Sequence, residues 1–82
     1  MEHEEIIVKT AVKEFGDKIK ILREKNNLSI NQFASTINCS SRSLERWENG
    51  EGKPNLKNLF NICRKFNVSM KEFYNQKTNL ND

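Results

Sequence analysis

Four short stretches of this chain carry the pattern that begins an α-helix, and they follow one another at intervals of 11 to 15 residues. In each, a Ser or Asn that can accept a hydrogen bond from the first helical turn precedes apolar residues at helical spacing. These capping residues are Ser29, Ser40, Asn55 and Ser69. No strand-like alternation of apolar and polar residues competes with them between Phe15 and Tyr74, so the sequence predicts an all-α fold.

Two of these helix starts carry a further signal, the capping box. Gln32 follows Ser29 by three residues and can return a hydrogen bond to the backbone of its cap. Glu72 stands in the same relation to Ser69. Apolar residues flank both starts and can pack as a staple across the first turn, which fixes how the chain enters each helix.

Five helices are predicted from these starts and from the apolar periodicity between them. Their expected ranges are Phe15–Lys25, Ile30–Ile37, Ser41–Glu48, Leu56–Phe66 and Met70–Tyr74. A chain of this length allows one domain with one core. The residues expected to form that core are Phe15, Ile19, Leu22, Leu28, Phe33, Ala34, Ile37, Leu44, Trp47, Leu59, Ile62, Cys63, Phe66 and Phe73.

The N-terminal leader, residues 1–14, admits two interpretations. Three consecutive β-branched residues starting at Ile6 suit a strand, but the apolar residues of Val8–Ile19 also fit one face of a helix. We favour a helical extension of the first helix, with an interaction arm as the other expectation for this leader. The helix-turn-helix part is then expected to span residues 15–74, and residues 75–82 are expected to form a flexible polar tail.

The charge of the chain is unevenly distributed. Residues 1–14 hold four Glu against two Lys, whereas residues 15–74 hold eleven Lys or Arg against six Asp or Glu. A basic domain behind an acidic leader suits a polyanionic partner such as a nucleic acid. A solvated Lys-rich surface would have the same composition, so charge alone does not decide the function.

Several classes of protein are disfavoured by the composition. No run of about 18 apolar residues could span a membrane, and the acidic first residues differ from a signal peptide, so we expect a cytoplasmic protein. Cys39 and Cys63 stand at apolar positions and His3 is the only histidine, so we expect buried, reduced thiols and no metal site. No catalytic set of residues stands out, and neither an enzyme nor a bound cofactor is expected.

The connection between the second and third predicted helices, Ile37–Ser40, is very short. Helices joined so tightly must turn sharply and pack closely. Ala34 is the small residue that close packing requires, and Asn38 is one of the few residue types that tolerate the positive φ of a sharp turn. The second helix of such a pair can project from the domain and enter a major groove of DNA.

Longer motifs extend on both sides of this turn. They are Leu28-Ser29-x-x-x-Phe33-Ala34, the run from Asn38 to Gly50 with its Trp-Glu-Asn-Gly helix end, Lys53-Pro54-Asn55-Leu56, and Asn67-Val68-Ser69-Met70-Lys71-Glu72-Phe73. Together they resemble the Cro/XRE-type phage-repressor family over residues 15–74. The resemblance implies a compact five-helix lambda-repressor-like helix-turn-helix domain that binds double-stranded DNA through a recognition helix, Ser41–Glu48.

The resemblance also implies roles for individual residues. The positions that match base-reading residues are Ser41, Arg42 and Arg46, and arginine is well shaped for bidentate bonding to guanine. The positions that match phosphate-positioning residues are Ser40, Asn49, Lys53 and Arg23. Arg23 also matches one half of a structural ion pair with Glu48, which would hold the recognition helix at a fixed angle. Ordinary solvated side chains are the alternative for the charged residues, which are Arg23, Arg42, Arg46, Glu48 and Lys53.

One position departs from the family pattern. Ile30 stands where the family usually has a glutamine that binds a phosphate. This change implies weaker DNA binding, an apolar contact with DNA at Ile30, or a face that binds protein.

Two functions therefore stay open at this point. The leading interpretation is a repressor-like transcriptional regulator that binds duplex DNA as a homodimer on a palindromic site. The alternative is an antitoxin-like or anti-repressor-like protein-interaction module that also binds its own operator. In that alternative a protein partner would bind through Ile30 or the leader.

Overall fold

The computed structural model describes the backbone of residues 2–74 and the side chains of residues 11–73. Its helices are α1 (Glu2–Lys25), α2 (Ile30–Thr36), α3 (Ser41–Glu48), α4 (Leu56–Phe66) and α5 (Met70–Tyr74). This part of the chain contains no strand, so the all-α prediction is confirmed. The bounds of α3, α4 and α5 are the predicted ones, and α2 ends one residue earlier than predicted.

The leader forms the N-terminal part of α1. The helix begins at Glu2 and continues without a break past residue 15 to Lys25. The helical interpretation of the leader is therefore correct for its backbone, and the strand interpretation is wrong. The predicted tail at residues 75–82 lies outside the described part of the chain.

The predicted caps hold the helix starts in place. Ser29 Oγ accepts a hydrogen bond of 3.1 Å from the Gln32 amide, and Gln32 Oε1 accepts one of 2.8 Å from the Ser29 amide, which completes the capping box. The side chains of Asn55 and Ser69 accept the corresponding amide bond at 2.8 and 3.3 Å. These bonds satisfy amide groups that a helix start leaves unpaired.

Four helices end in the same way, with one residue in the left-handed region of backbone conformation. These residues are Asn27 (φ 56°), Asn38 (φ 62°), Gly50 (φ 79°) and Asn67 (φ 57°). The amide of the following residue then bonds back across the last turn; after Asn38, the Cys39 amide donates to the Ala34 carbonyl over 2.9 Å. The positive φ predicted for Asn38 is therefore present, and it closes the turn between α2 and α3.

The interior is one cluster of apolar side chains. The buried members are Phe15, Ile19, Phe33, Ala34, Ile37, Leu44, Trp47, Leu59, Ile62, Cys63 and Phe73. All of them were predicted, and the other three predicted residues, Leu22, Leu28 and Phe66, are half-buried and pack against this cluster. The rings of Phe33 and Phe66 stack with their centroids 4.7 Å apart. The prediction of a single core is confirmed.

Both cysteines are free thiols in the structure, as expected. Cys63 is buried, whereas Cys39 is only half-buried, so the prediction of two buried thiols holds for Cys63 alone. Burial raises the pKa of both thiols, and the charge of Glu72 raises the pKa of Cys63 further. Both side chains are therefore protonated at neutral pH, and a protonated thiol is a poor nucleophile.

A glycine inside α1 lets the first and third helices touch through their backbones. A Cβ atom built on Gly16 would lie 1.9 Å from the carbonyl oxygen of Trp47, far closer than any real contact. Gly16 is buried, and the sequence interpretation did not single it out. Any larger residue at this position would push α3 away from α1.

The first prediction concerns this contact. Gly16→Ala should lower the free energy of unfolding by about 1–3 kcal/mol, because the added methyl group overpacks the interface. In an open helix interior the same change would raise stability by roughly 1 kcal/mol. Urea unfolding of the parent and of the Gly16→Ala variant measures whether the free energy of unfolding falls or rises. Lys20→Ala, at an exposed site on the same helix, is the control and should change stability by less than about 0.5 kcal/mol; a gain for Gly16→Ala would contradict the contact.

A second prediction concerns the turn before α3. Asn38→Ala should lower the free energy of unfolding by about 1–2 kcal/mol, because alanine has no means of easing the left-handed conformation. Asn38→Gly is the matched control, since glycine adopts this conformation freely. Equal stability of the two variants in chemical denaturation would show that φ at position 38 does not matter.

Candidate nucleic-acid interface

Helix α3 has one face turned inward and another turned to solvent. Leu44 and Trp47 are 0% and 6% exposed and anchor the helix in the core. Arg42 and Arg46 lie four residues apart and are exposed. A helix that binds in a groove needs this arrangement, with a rigid apolar attachment behind a polar outer face.

The two arginines are not equivalent. Arg46 Nη2 donates a hydrogen bond of 3.1 Å to the carbonyl of Glu51, in the loop that follows α3. The Glu51 amide in turn donates to the Arg46 carbonyl over 2.8 Å. Arg46 therefore holds this loop against the end of α3 through two hydrogen bonds. Arg42 makes no hydrogen bond or ion pair with any residue in the range 11–73. None of its guanidinium donors is therefore used by a residue within that range.

The N-terminal end of α3 is held by serine side chains. Ser40 Oγ accepts the Ser43 amide over 3.0 Å, and it also donates to Ser43 Oγ over 3.0 Å. The cap predicted at Ser40 is thus present. Ser41, predicted to face bases, is half-buried, and its hydroxyl donates to Oδ1 of Asn31 on α2. Asn31 was not among the predicted site residues.

The C-terminal end of α3 is held by the ion pair predicted between Arg23 and Glu48. Arg23 Nε and Nη2 donate to the two carboxylate oxygens of Glu48 over 2.7 and 3.0 Å. Arg23 Nη1 donates to the carbonyl of Leu28 over 3.0 Å. One guanidinium group therefore joins α1, the turn before α2, and α3.

This ion pair is largely shielded from water. The Arg23 and Glu48 side chains are 14% and 7% exposed. Hydrogen bonding to Glu48 raises the pKa of the Arg23 guanidinium group further above its already high value, although burial partly opposes this effect. Arg23 therefore stays charged at any physiological pH. Its observed contacts are structural, and its implied contact with a phosphate stays a prediction.

Two more predicted phosphate-positioning residues lie at or after the end of α3. Lys53 is exposed, and its Nζ lies 5.5 Å from the centroid of the Phe15 ring, which is a cation–π contact. Asn49 is exposed, and its amide donates to the Glu45 carbonyl over 3.0 Å. Both exposed side chains follow the C-terminal end of α3, and their roles toward DNA stay predictions.

Ile30, the position that departs from the family pattern, is the first residue of α2. It is half-buried and packs against the core cluster. The next residue, Asn31, is exposed and bonds to α3. The polar side chain of α2 that bonds to α3 therefore stands one residue after Ile30. The contact of a protein partner or of DNA with Ile30 stays a prediction.

The described part of the chain holds neither a cluster of metal ligands nor a membrane-spanning helix. Among its His, Cys, Asp and Glu residues, no group of three or more is placed to hold a metal ion. Between residues 2 and 74, no helix is long and apolar enough to cross a membrane.

A third prediction concerns the ion pair. Glu48→Ala should lower the free energy of unfolding by about 3 kcal/mol, because it leaves the charge of Arg23 largely shielded and without a carboxylate. The double variant Arg23→Met with Glu48→Leu should recover most of this loss, since apolar side chains of similar size need no partner.

The exposed pair of Lys13 and Asp17 is the control for this experiment. It spans 3.1 Å, and its side chains are 60% and 48% exposed. Asp17→Ala should therefore change stability by less than about 0.5 kcal/mol. If Glu48→Ala behaved like this control in thermal or urea unfolding, the ion pair would not hold α3.

Comparison with known proteins agrees with this geometry. A family model described as Helix-turn-helix matches residues 19–73, which include all of α2, α3 and α4. The chain is 36% identical over 59 residues to the HTH-type transcriptional activator BcrR of Enterococcus faecalis, covering 72% of this chain and 29% of that protein. It is 36% identical over 66 residues to Antitoxin PezA of Streptococcus pneumoniae serotype 4, covering 80% of this chain and 42% of that protein.

A shorter match involves a second antitoxin. The chain is 46% identical over 39 residues to Antitoxin HigA-2 of Vibrio cholerae serotype O1, covering 48% of this chain and 38% of that protein. The chain spans less than half the length of each of these relatives. Since the family model covers most of the described residues and the five helices follow in the expected order, the chain belongs to the Cro/XRE-type helix-turn-helix family of DNA-binding regulators.

Proposed function

We propose that the chain is a repressor-like transcriptional regulator that binds duplex DNA sequence-specifically, with α3 in the major groove. The observation that carries this proposal is the exposed Arg42, on the face of α3 away from the buried Leu44 and Trp47. A bidentate arginine is the commonest side chain for reading guanine in the major groove. Because both ends of α3 are held, the arginine would meet the base edges from a fixed position.

The charge distribution supports the same proposal. Residues 15–74 carry eleven basic against six acidic side chains. An excess of positive charge steers a protein toward DNA and contributes to affinity through the release of counterions. We propose that two copies bind a palindromic site, because two-fold related recognition helices read half-sites about one helical turn apart.

A second candidate function is favoured by two of the relatives. The chain is similar to two proteins named as antitoxins, and one of these matches covers 80% of its length. An antitoxin-like chain would have another protein as its main partner and would also bind its own operator. We propose the leader as the main surface for such a contact, since Ile30 is half-buried against the core. In either function the chain acts by binding and not by catalysis.

A fourth prediction tests the DNA-binding proposal. Selection of bound duplexes from a random pool should recover a palindromic site. Arg42→Ala should weaken binding to that site by about 1–3 kcal/mol and blur the preference at one base pair, because a base contact carries sequence information. Fluorescence anisotropy against the selected and shuffled duplexes measures both effects.

Variants of two lysines test whether a residue contacts the DNA backbone without reading the base sequence. Lys53→Ala should weaken all duplexes alike and reduce the salt dependence by about one unit, if Lys53 contacts a phosphate. It should also cost up to about 1 kcal/mol of stability through loss of the contact with Phe15. Lys71→Ala is the control, because Lys71 is an exposed lysine on α5, which packs on α1 and α4. Equal binding of every duplex by the parent and by Arg42→Ala would exclude α3 as a recognition helix.

A further inference from the structure

An open cavity of about 250 Å³ lies between the C-terminal half of α1 and α5, and we call it the α1–α5 groove. Leu22 and Phe73 belong to its apolar lining, and so does Ile21, which is 60% exposed. Lys18 Nζ donates to the carbonyls of Glu72 and Phe73 over 3.2 Å each, which holds α5 beside α1. An exposed isoleucine in an apolar groove marks a surface that can bind another apolar segment.

The charge of α1 changes sign along the helix. Residues 2–14 hold four Glu against two Lys, whereas residues 15–25 hold three Lys besides the paired Arg23, against two acidic residues. The groove lies on the basic part. Lys25 lines it, is exposed, and has no hydrogen bond or ion pair with any residue in the range 11–73. A segment that is both acidic and apolar would therefore complement this surface.

The leader, at the other end of the same helix, has this composition. Glu2, Glu4 and Glu5 are followed by the three β-branched residues 6–8. The backbone is helical from Glu2 onward. Position 7 therefore comes about four helical turns before Ile21 and falls on the same face of α1.

We propose that two copies of the chain associate through antiparallel α1 helices, so that the acidic leader of each copy binds in the α1–α5 groove of the other. An antiparallel arrangement places the acidic part of each helix against the basic part of its partner, whereas a parallel one would place like charges opposite each other. Because leader and groove share one face of one helix, a single two-fold axis makes both contacts at once. The inference goes beyond the proposed function, since this association does not require DNA.

The proposed dimer surface and α3 lie on different sides of α1. Lys18, Ile21 and Lys25 follow one another at intervals of three and four residues and so share a face of the helix. Gly16 and Arg23, which contact α3, lie on roughly the opposite side. Association and DNA binding therefore use different surfaces of the molecule.

The exposed apolar residues of α4 are less suited to a second copy. Leu56 and Phe60 lie four residues apart and are 68% and 55% exposed. The same helix carries Lys57, Arg64 and Lys65 and no acidic residue. Two copies that met through this face would bring like charges together. Leu56 is therefore a matched control for Ile21.

Analytical ultracentrifugation of the full chain without DNA tests the inference. The parent should form dimers whose share rises with concentration. Ile21→Ser should weaken association by about tenfold or more, because it removes a large apolar side chain from the contact. Leu56→Ser should associate like the parent, since Leu56 is similarly exposed but lies on α4. The thermal midpoint of each variant verifies its fold.

An exchange of charges tests which parts of α1 meet. The leader variant combines Glu4→Lys with Glu5→Lys, and the groove variant is Lys25→Glu. Each variant alone should be largely monomeric, because like charges then meet at both contacts. An equimolar mixture should dimerise again, since each leader then meets a groove of opposite charge. This recovery would also show that neither variant has lost its fold.

Several outcomes would overturn the inference. They are a parent that stays monomeric without DNA, a dimer that Leu56→Ser disrupts and Ile21→Ser does not, charge variants that dimerise alone as the parent does, and a mixture that shows no recovery. If one of these occurs while the parent selects a palindromic duplex, only this inference fails. If the mixture recovers but the parent selects no duplex sequence, the dimer surface is supported and the proposed DNA-binding function fails.

Discussion

The close approach of α1 to α3 at Gly16 determines where the proposed recognition helix lies. With no side chain at Gly16, the Trp47 carbonyl can occupy space that a Cβ atom would fill. Two helical turns further along α1, Arg23 binds Glu48 with two hydrogen bonds. Ile19, between them, is 0% exposed. The C-terminal end of α3 is therefore fixed by close packing and by a shielded ion pair on one face of α1.

The turns of the domain explain why this arrangement is rigid. Leu28 and Cys39 each follow a residue with positive φ, and each donates its amide to the last turn of the helix before it. The same two residues directly precede the capping serines of the next helix. Leu28 and Cys39 therefore each close the end of one helix and stand next to the N-cap of the following helix. An inserted residue in either turn would disrupt the end of one helix or the start of the next. The orientation of α3 relative to α1 therefore depends on the length of these two turns.

The sequence predicted those features that depend on neighbours along the chain. Caps and apolar periodicity predicted the helices, and the short turn predicted the positive φ of Asn38. Gly16 was missed, because a lone glycine within a helical pattern does not by itself show that another helix packs against it. The bond from Ser41 to Asn31 depends on how two helices are oriented, which no local pattern contains. The packing of Ile30 against the core likewise depends on residues that are distant along the chain.

The two ends of α3 are held by different kinds of contact, and this difference matters for how the protein can change. At the C-terminal end, Glu48 is 7% exposed, and its bond to Arg23 bears on the stability of the whole domain. At the N-terminal end, Asn31 is exposed, so a change there costs little stability. A substitution at the shielded end therefore changes the stability of the domain. A substitution at the exposed end changes a surface contact of α3 while the fold is retained.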